Sequence, residues 1–218
     1  MARLDPLRAL MFAVAVVLST AAAVQLGAST PTGAGLAALA PWPEDLLRQR
    51  VEEACAGVER AAHAGKGLAL ALAEAKVAVA AALRRYPEDT DLWLRHAELA
   101  ALSGAAPGVW ERSLMRSYAT GPREGWVAAR RLPFALSRFA ELSPAARQRA
   151  MDELDAMVGW RSSYLSHFAR AYARLAPQAR FIVERVVARQ APPVRERVTP
   201  ILVGADRRLA VSRAGTSP

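Results

Sequence analysis

The sequence predicts an all-α protein, with an N-terminal transmembrane helix followed by stacked helical hairpins in a short α-solenoid. Three observations carry that prediction. Apolar residues recur at helical spacing in run after run. Proline and glycine punctuate the runs where helices start and stop. No stretch sustains the alternation of a half-buried strand. Each predicted helix has a single apolar stripe, which only a neighbouring helix buries.

The chain opens with a short basic segment carrying Arg3 and Arg8. An uncharged run of 18 residues from Ala9 to Leu26 follows, near the lower limit for a membrane span. Two readings compete for it. A cleaved secretory signal would end near Ala21-Ala22-Ala23 or Ala28. A retained anchor is favoured, because the apolar character continues past Ala23. Arginines precede the run and no basic residue follows it before Arg48, so the N-terminus is expected in the cytoplasm. Residues 1–26 are therefore the signal-anchor. Residues 27–43, small, uncharged and rich in Gly, Pro, Ser and Thr, are a linker.

Residues 44–192 are expected to form the helical-hairpin domain. Leu46, Leu47, Val51, Ala54 and Val58 line one face of a first helix, from Glu44 to His63. Gly65-Lys66-Gly67 is its turn, and Leu68 to Tyr86 its partner. Pro87 stops that partner, and Asp89 and Thr90 are N-cap candidates for the next helix. Leu92, Trp93, Ala97 and Ala100 form its stripe, up to Gly104. Pro107 suits the first turn of the following helix, lined by Val109, Trp110, Leu114 and Tyr118, and Gly121-Pro122 closes the unit. Further stripes run from Trp126 to Phe139, where Pro133 should kink or split the helix, then from Met151 to Val158, Tyr164 to Leu175 and Phe181 to Val187. Pro192-Pro193 is expected to end the regular region. Residues 193–218 are read as a basic, partly disordered tail, with a short capping element at Thr199 to Val203.

The stretch from Ala75 to Pro122 resembles a degenerate tetratricopeptide repeat (TPR). Ala75, Val79, Ala82 and Pro87 fit the small, large, small and proline slots of a second repeat helix, and Trp93, Ala97 and Gly104 open the next unit. The spacing from Pro87 to Pro122 is 35 residues, beside about 34 in the ideal repeat. The chain departs from the pattern where His96 and Ala100 replace the usual Leu and Tyr. Trp110, Leu114 and Ser117 replace the small-aromatic-small series.

Composition narrows the chemistry. The formal net charge is +9, and Lys66 and Lys76 are the only lysines. An Arg- and Ala-heavy chain fits a GC-rich bacterial genome. No Lys/Arg block or aromatic-interleaved basic motif accompanies the charge, so no nucleic-acid partner is expected. Cys55 is the only cysteine, so the chain has no internal disulfide. None of His63, His96 and His167 has a second His at i+4, and there is no HExxH or paired CxxC, so no metal site is read. Neither a nucleophile elbow nor a Gly-rich phosphate loop is present, and no cofactor or catalytic residue is assigned. Tyr164, His167 and Arg170, at i, i+3 and i+6, are the one close set a lyase would use.

Binding is the stronger reading. Arg112 and Arg116 lie at i,i+4, and Arg123 and Arg130 flank the next helix start, with Trp126 beside them. Stacked hairpins would bring these arginines to one groove. Arginine forks suit carboxylates and Trp faces suit sugar rings, so the groove suits an anionic glycan or an acidic protein segment.

From Val77 to about Val187 the chain resembles the small membrane-anchored TPR-like proteins of bacterial exopolysaccharide biosynthesis loci. The resemblance lies in ALRRYPEDTDLWLRHAEL, SLMRSYATGPREGWVAARRL and FAELSPAARQRAMDEL, about half of the chain. It implies a non-enzymatic, single-pass inner-membrane protein with a periplasmic domain. Such a protein acts as a scaffold or adaptor among polysaccharide synthesis and export components. The alternatives are a TPR-type adaptor for cytochrome maturation or secretion, and a glycan-modifying lyase on a helical scaffold.

Overall fold

The computed structural model describes residues 44–159 and 163–214, and all its regular structure is helical. The predicted span at residues 9–26 and the linker at residues 27–43 lie outside the described residues. Among the described residues no helix is long and apolar enough to cross a membrane. The chain divides into two compact units between Arg85 and Tyr86, at the Pro87 stop.

The first unit holds α1 (Glu44–Ala64) and α2 (Leu68–Arg85), packed as a hairpin. Gly65 and Gly67 both take positive φ in the turn, a conformation in which a β-carbon is strained. Leu47, Val51 and Val58 of α1 are buried, as are Leu72, Ala75, Val79 and Ala82 of α2. The sequence periodicity selects all of these except Leu72, and it also selects Leu46 and Ala54, which are half-buried.

The second unit contains α3 (Thr90–Leu102), α4 (Pro107–Thr120), α5 (Gly125–Ser137) and a 3₁₀ turn (Phe139–Glu141). It continues with α6 (Pro144–Gly159), α7 (Ser163–Tyr172), α8 (Pro177–Arg189) and α9 (Pro192–Ala214). The Asp89 carboxylate accepts from the Leu92 amide at 3.0 Å, so Asp89 is the N-cap of α3. The Ser143 hydroxyl accepts from the Ala146 amide at 3.3 Å and starts α6. α3 and α4 pair as a hairpin. Beyond them α5 packs against α6 and α7, and α7 against α9.

Two cores share α5. One gathers Leu94, Trp110, Leu114 and Tyr118 with Val127 and Ala135 of α5. The other gathers Leu132 and Leu136 of α5 with Leu154, Met157, Phe168, Val183 and Leu202. α5 stays continuous through Pro133, which was expected to kink or split it. The helix forgoes one hydrogen bond, because Pro133 offers no N–H to the Ala129 carbonyl, and packing on two sides holds it together.

The C-terminal segment also differs from expectation. Pro192 starts a helix rather than ending the regular region, since a proline in the first turn gives up an N–H that has no helical partner. α9 runs through Pro200 to Ala214, and it buries Val198, Leu202 and Ala205. Its Arg197 donates to the carbonyls of Val158 at 2.9 Å and Gly159 at 3.0 Å, closing the end of α6.

The two cores meet at one side chain. Arg131 of α5 is fully buried. Its Nε donates to both Glu153 oxygens, at 3.1 and 3.2 Å, and its Nη2 donates to Glu153 Oε1. Nη1 donates to the Ser117 carbonyl at 2.6 Å and the Ser117 hydroxyl at 3.0 Å, while Nη2 also reaches the Gly121 carbonyl at 3.1 Å. The Ser117 hydroxyl donates onward to the Thr90 carbonyl at 2.9 Å. The guanidinium lies 4.4 Å from the centre of the Tyr118 ring. Gly121 lets the Thr90 side chain lie against the turn, because a β-carbon there would overlap it. Glu153→Gln leaves a buried guanidinium with no counter-charge and is expected to cost about 3–5 kcal/mol. The double variant Arg131→Met/Glu153→Leu is expected to recover only part of that loss, because the Gly121 carbonyl loses its Arg131 donor and Ser117 keeps only the Gly121 amide. Denaturant unfolding of the three proteins checks both expectations.

Candidate functional site

α5 and α7 face each other across an open cleft of about 560 Å³. On α5 the lining positions are Trp126, Ala129, Arg130 and Pro133, and α7 contributes Tyr164, His167, Arg170 and Ala171. Both sets have the spacing of one helical face. Arg174 lies two residues beyond the end of α7, and Glu98 reaches in from α3.

The wall shared by α3 and α5 is an ordered charge network. Arg130 donates from Nη1 to Asp91 and from Nη2 to Glu98 Oε2 at 3.1 Å. Arg95 holds the other Asp91 oxygen at 2.5 Å. Asp91, Arg95 and Glu98 sit at i, i+4 and i+7 on α3, so one helical face supplies all three. Burial pushes the Glu98 carboxyl above the usual carboxylate range, and Asp91 pushes the same way, while Arg130 and Arg95 oppose both.

The α7 wall is cationic. Arg170 Nη2 lies 2.6 Å from His167 Nδ1. A guanidinium only donates, so Nδ1 accepts, and in the neutral ring the proton sits on Nε2. Among the described residues neither Arg170 nor Arg174 has a carboxylate partner, and both are exposed. Trp126 is 48% exposed, although every other described tryptophan is more buried.

The sequence-predicted groove is distributed over two places. Arg130 and Trp126 line the cleft. Arg112 and Arg116 are exposed on α4, and Arg123 is exposed in the turn before α5; none of the three lines the cleft. Tyr164, His167 and Arg170, singled out as a possible lyase set, line the same cleft as Trp126 and Arg130. Glu98 and Arg174 were missed by sequence reasoning. Their signals were present: Glu98 lies two turns from Asp91, and Arg174 lies one turn beyond Arg170. Among the described residues no three His, Cys, Asp or Glu side chains gather to hold a metal ion. No family model, curated protein or solved structure matches the chain.

The folded protein holds the Glu98 proton more tightly than the unfolded chain, in which the carboxyl has its ordinary value of 4.5. The stability difference between the wild-type protein and Glu98→Gln is therefore expected to move against the wild type as pH rises from about 4.5. Paired urea titrations across that range measure it, and a pH-independent difference would contradict the raised Glu98 carboxyl.

Proposed function

We propose that the protein is a non-enzymatic scaffold of a bacterial envelope assembly, anchored in the inner membrane by residues 9–26, with its helical units in the periplasm. The α5–α7 cleft is its docking site. The observation that carries this reading is the exposed Trp126 face opposite Arg170 and Arg174, two guanidiniums without carboxylate partners among the described residues. An aromatic face beside unpaired guanidiniums recognises an anionic partner without needing a reactive group. In this reading α3 and α4 are a degenerate TPR hairpin. The resemblance to proteins of exopolysaccharide loci makes polysaccharide synthesis or export the assembly of first choice.

Crosslinking of the full-length protein in native membranes, followed by mass spectrometry of what it carries, tests this. Glycosyltransferases, polymerase or export components are expected. An Arg170→Ala/Arg174→Ala variant is expected to recover them severalfold less. Haem-maturation or secretion components would move the scaffold to those systems. A protein recovered alone and soluble after lysis would overturn the anchored scaffold.

A second reading is favoured by one observation. Tyr164, His167 and Arg170 line one open cleft, which is the arrangement a polysaccharide lyase needs. Arg170 would neutralise a uronate carboxylate, while Tyr164 and His167 would move the protons of the elimination. Enzymatic turnover would appear as unsaturated uronate ends absorbing in the ultraviolet, lost in Tyr164→Phe and His167→Ala. Their absence at high protein concentration keeps the scaffold.

A further inference from the structure

We infer that the α5–α7 cleft takes a carboxylated sugar unit of an acidic glycan rather than an acidic peptide segment. The inference rests on the docking reading above and names its ligand. A cleft built only to attract anions has no use for a carboxyl group, yet Glu98 lines this one and is held there by Arg130. A peptide rich in Asp and Glu brings carboxylates and few side-chain donors, so Glu98 disfavours it. A pyranose ring brings hydroxyls that donate to a carboxylate and accept from a guanidinium. Glu98 and Arg130 together therefore match a ring edge, and the pair is preformed.

The remaining groups fit the rest of the ring. Trp126 offers an exposed indole, suited to the C–H face of a sugar. Arg170 and Arg174 sit one turn apart and supply the charge for a carboxylate on that ring. At about 560 Å³ the cleft suits a short oligosaccharide. Uncharged sugars would leave Arg170 and Arg174 without a counter-charge, and inorganic phosphate would leave Trp126 and Glu98 unused.

The test is titration calorimetry of the full-length protein in detergent, with short oligogalacturonates and oligomannuronates as probes. Their carboxyl-reduced neutral counterparts, hexaglutamate and inorganic phosphate are the controls. At least one oligouronate is expected to bind at least about tenfold more tightly than its neutral counterpart and than hexaglutamate. Arg170→Ala/Arg174→Ala and Trp126→Ala are each expected to weaken oligouronate binding about tenfold, with Trp126→Phe retaining most of it. Glu98→Ala is expected to weaken oligouronate binding and strengthen hexaglutamate binding. Trp126, Arg170 and Arg174 lie at the surface of the cleft, so unchanged thermal unfolding of their variants, and a retained cooperative transition in Glu98→Ala, confirm an intact fold. Hexaglutamate binding as tightly as the best oligouronate would overturn the glycan inference and leave the docking reading standing. If no probe binds and Arg170→Ala/Arg174→Ala retains every crosslinked partner, both fall.

Discussion

The second unit depends on one buried guanidinium. Arg131 has five N–H donors, and its acceptors lie on α4, on α6 and at the turn before α5. Two of those acceptors are carbonyls at the end of α4: Ser117, which already accepts from the Gly121 amide at 3.3 Å and gains a second donor in Arg131, and Gly121. Glu153 supplies the counter-charge, and Ser117 passes the network to the start of α3. Such a pair costs desolvation and is weak evidence of stability in itself. Its consequence is geometric. The fork of donors fixes the positions of four helices relative to one another, which apolar contacts alone leave freer to slide.

Arg130 and Arg131 are chain neighbours with opposite fates. Adjacent residues on a helix point about 100° apart, so one enters the core while the other reaches the cleft. Arg131 makes α5 immovable against α4 and α6. Arg130, on the same helix, then finds Asp91 and Glu98 on α3 at hydrogen-bonding distance. The cleft is thus a by-product of the core network. Its α5 wall inherits its position from the buried guanidinium, and its acidic edge inherits its position from α3, tied in through Ser117.

Much of this was legible in the sequence because helices write themselves in local patterns. The α1–α2 and α3–α4 hairpins follow from stripe spacing, caps and Gly/Pro stops. Trp126 and Arg130 were grouped from their proximity alone, and Tyr164, His167 and Arg170 from their spacing, and one cleft is lined by all five. What failed was long-range. Arg131 looks like one more surface arginine until α6 brings Glu153 beside it, 22 residues away in sequence. Arg112, Arg116 and Arg123 were assigned to the groove by assuming that consecutive hairpins stack, whereas α5 pairs with α7. α9 was missed because Pro192-Pro193 was read only as a stop, although Pro107 was read as a first-turn residue. Pro192 occupies a first turn and Pro200 is tolerated inside, while Val198, Leu202 and Ala205 carry a stripe as good as any upstream.

The same contrast bears on what the cleft is for. Arg131 uses every donor it has, and no exposed ligand competes for it. Arg130 is divided between two carboxylates but remains partly exposed, so it holds Glu98 in place while keeping a face toward the cleft. Arg170 donates to a neutral acceptor, His167, which does nothing to cancel its charge. From the core outward, the guanidiniums go from fully satisfied, to paired but accessible, to charged without a counter-ion among the described residues. A surface arranged only for solubility has no reason to grade its arginines in this way around an exposed indole. In the proposed docking reading, Arg131 keeps the α5 wall in place, while Arg130 and Arg170 present different donors to different parts of one oxygen-rich anionic ring.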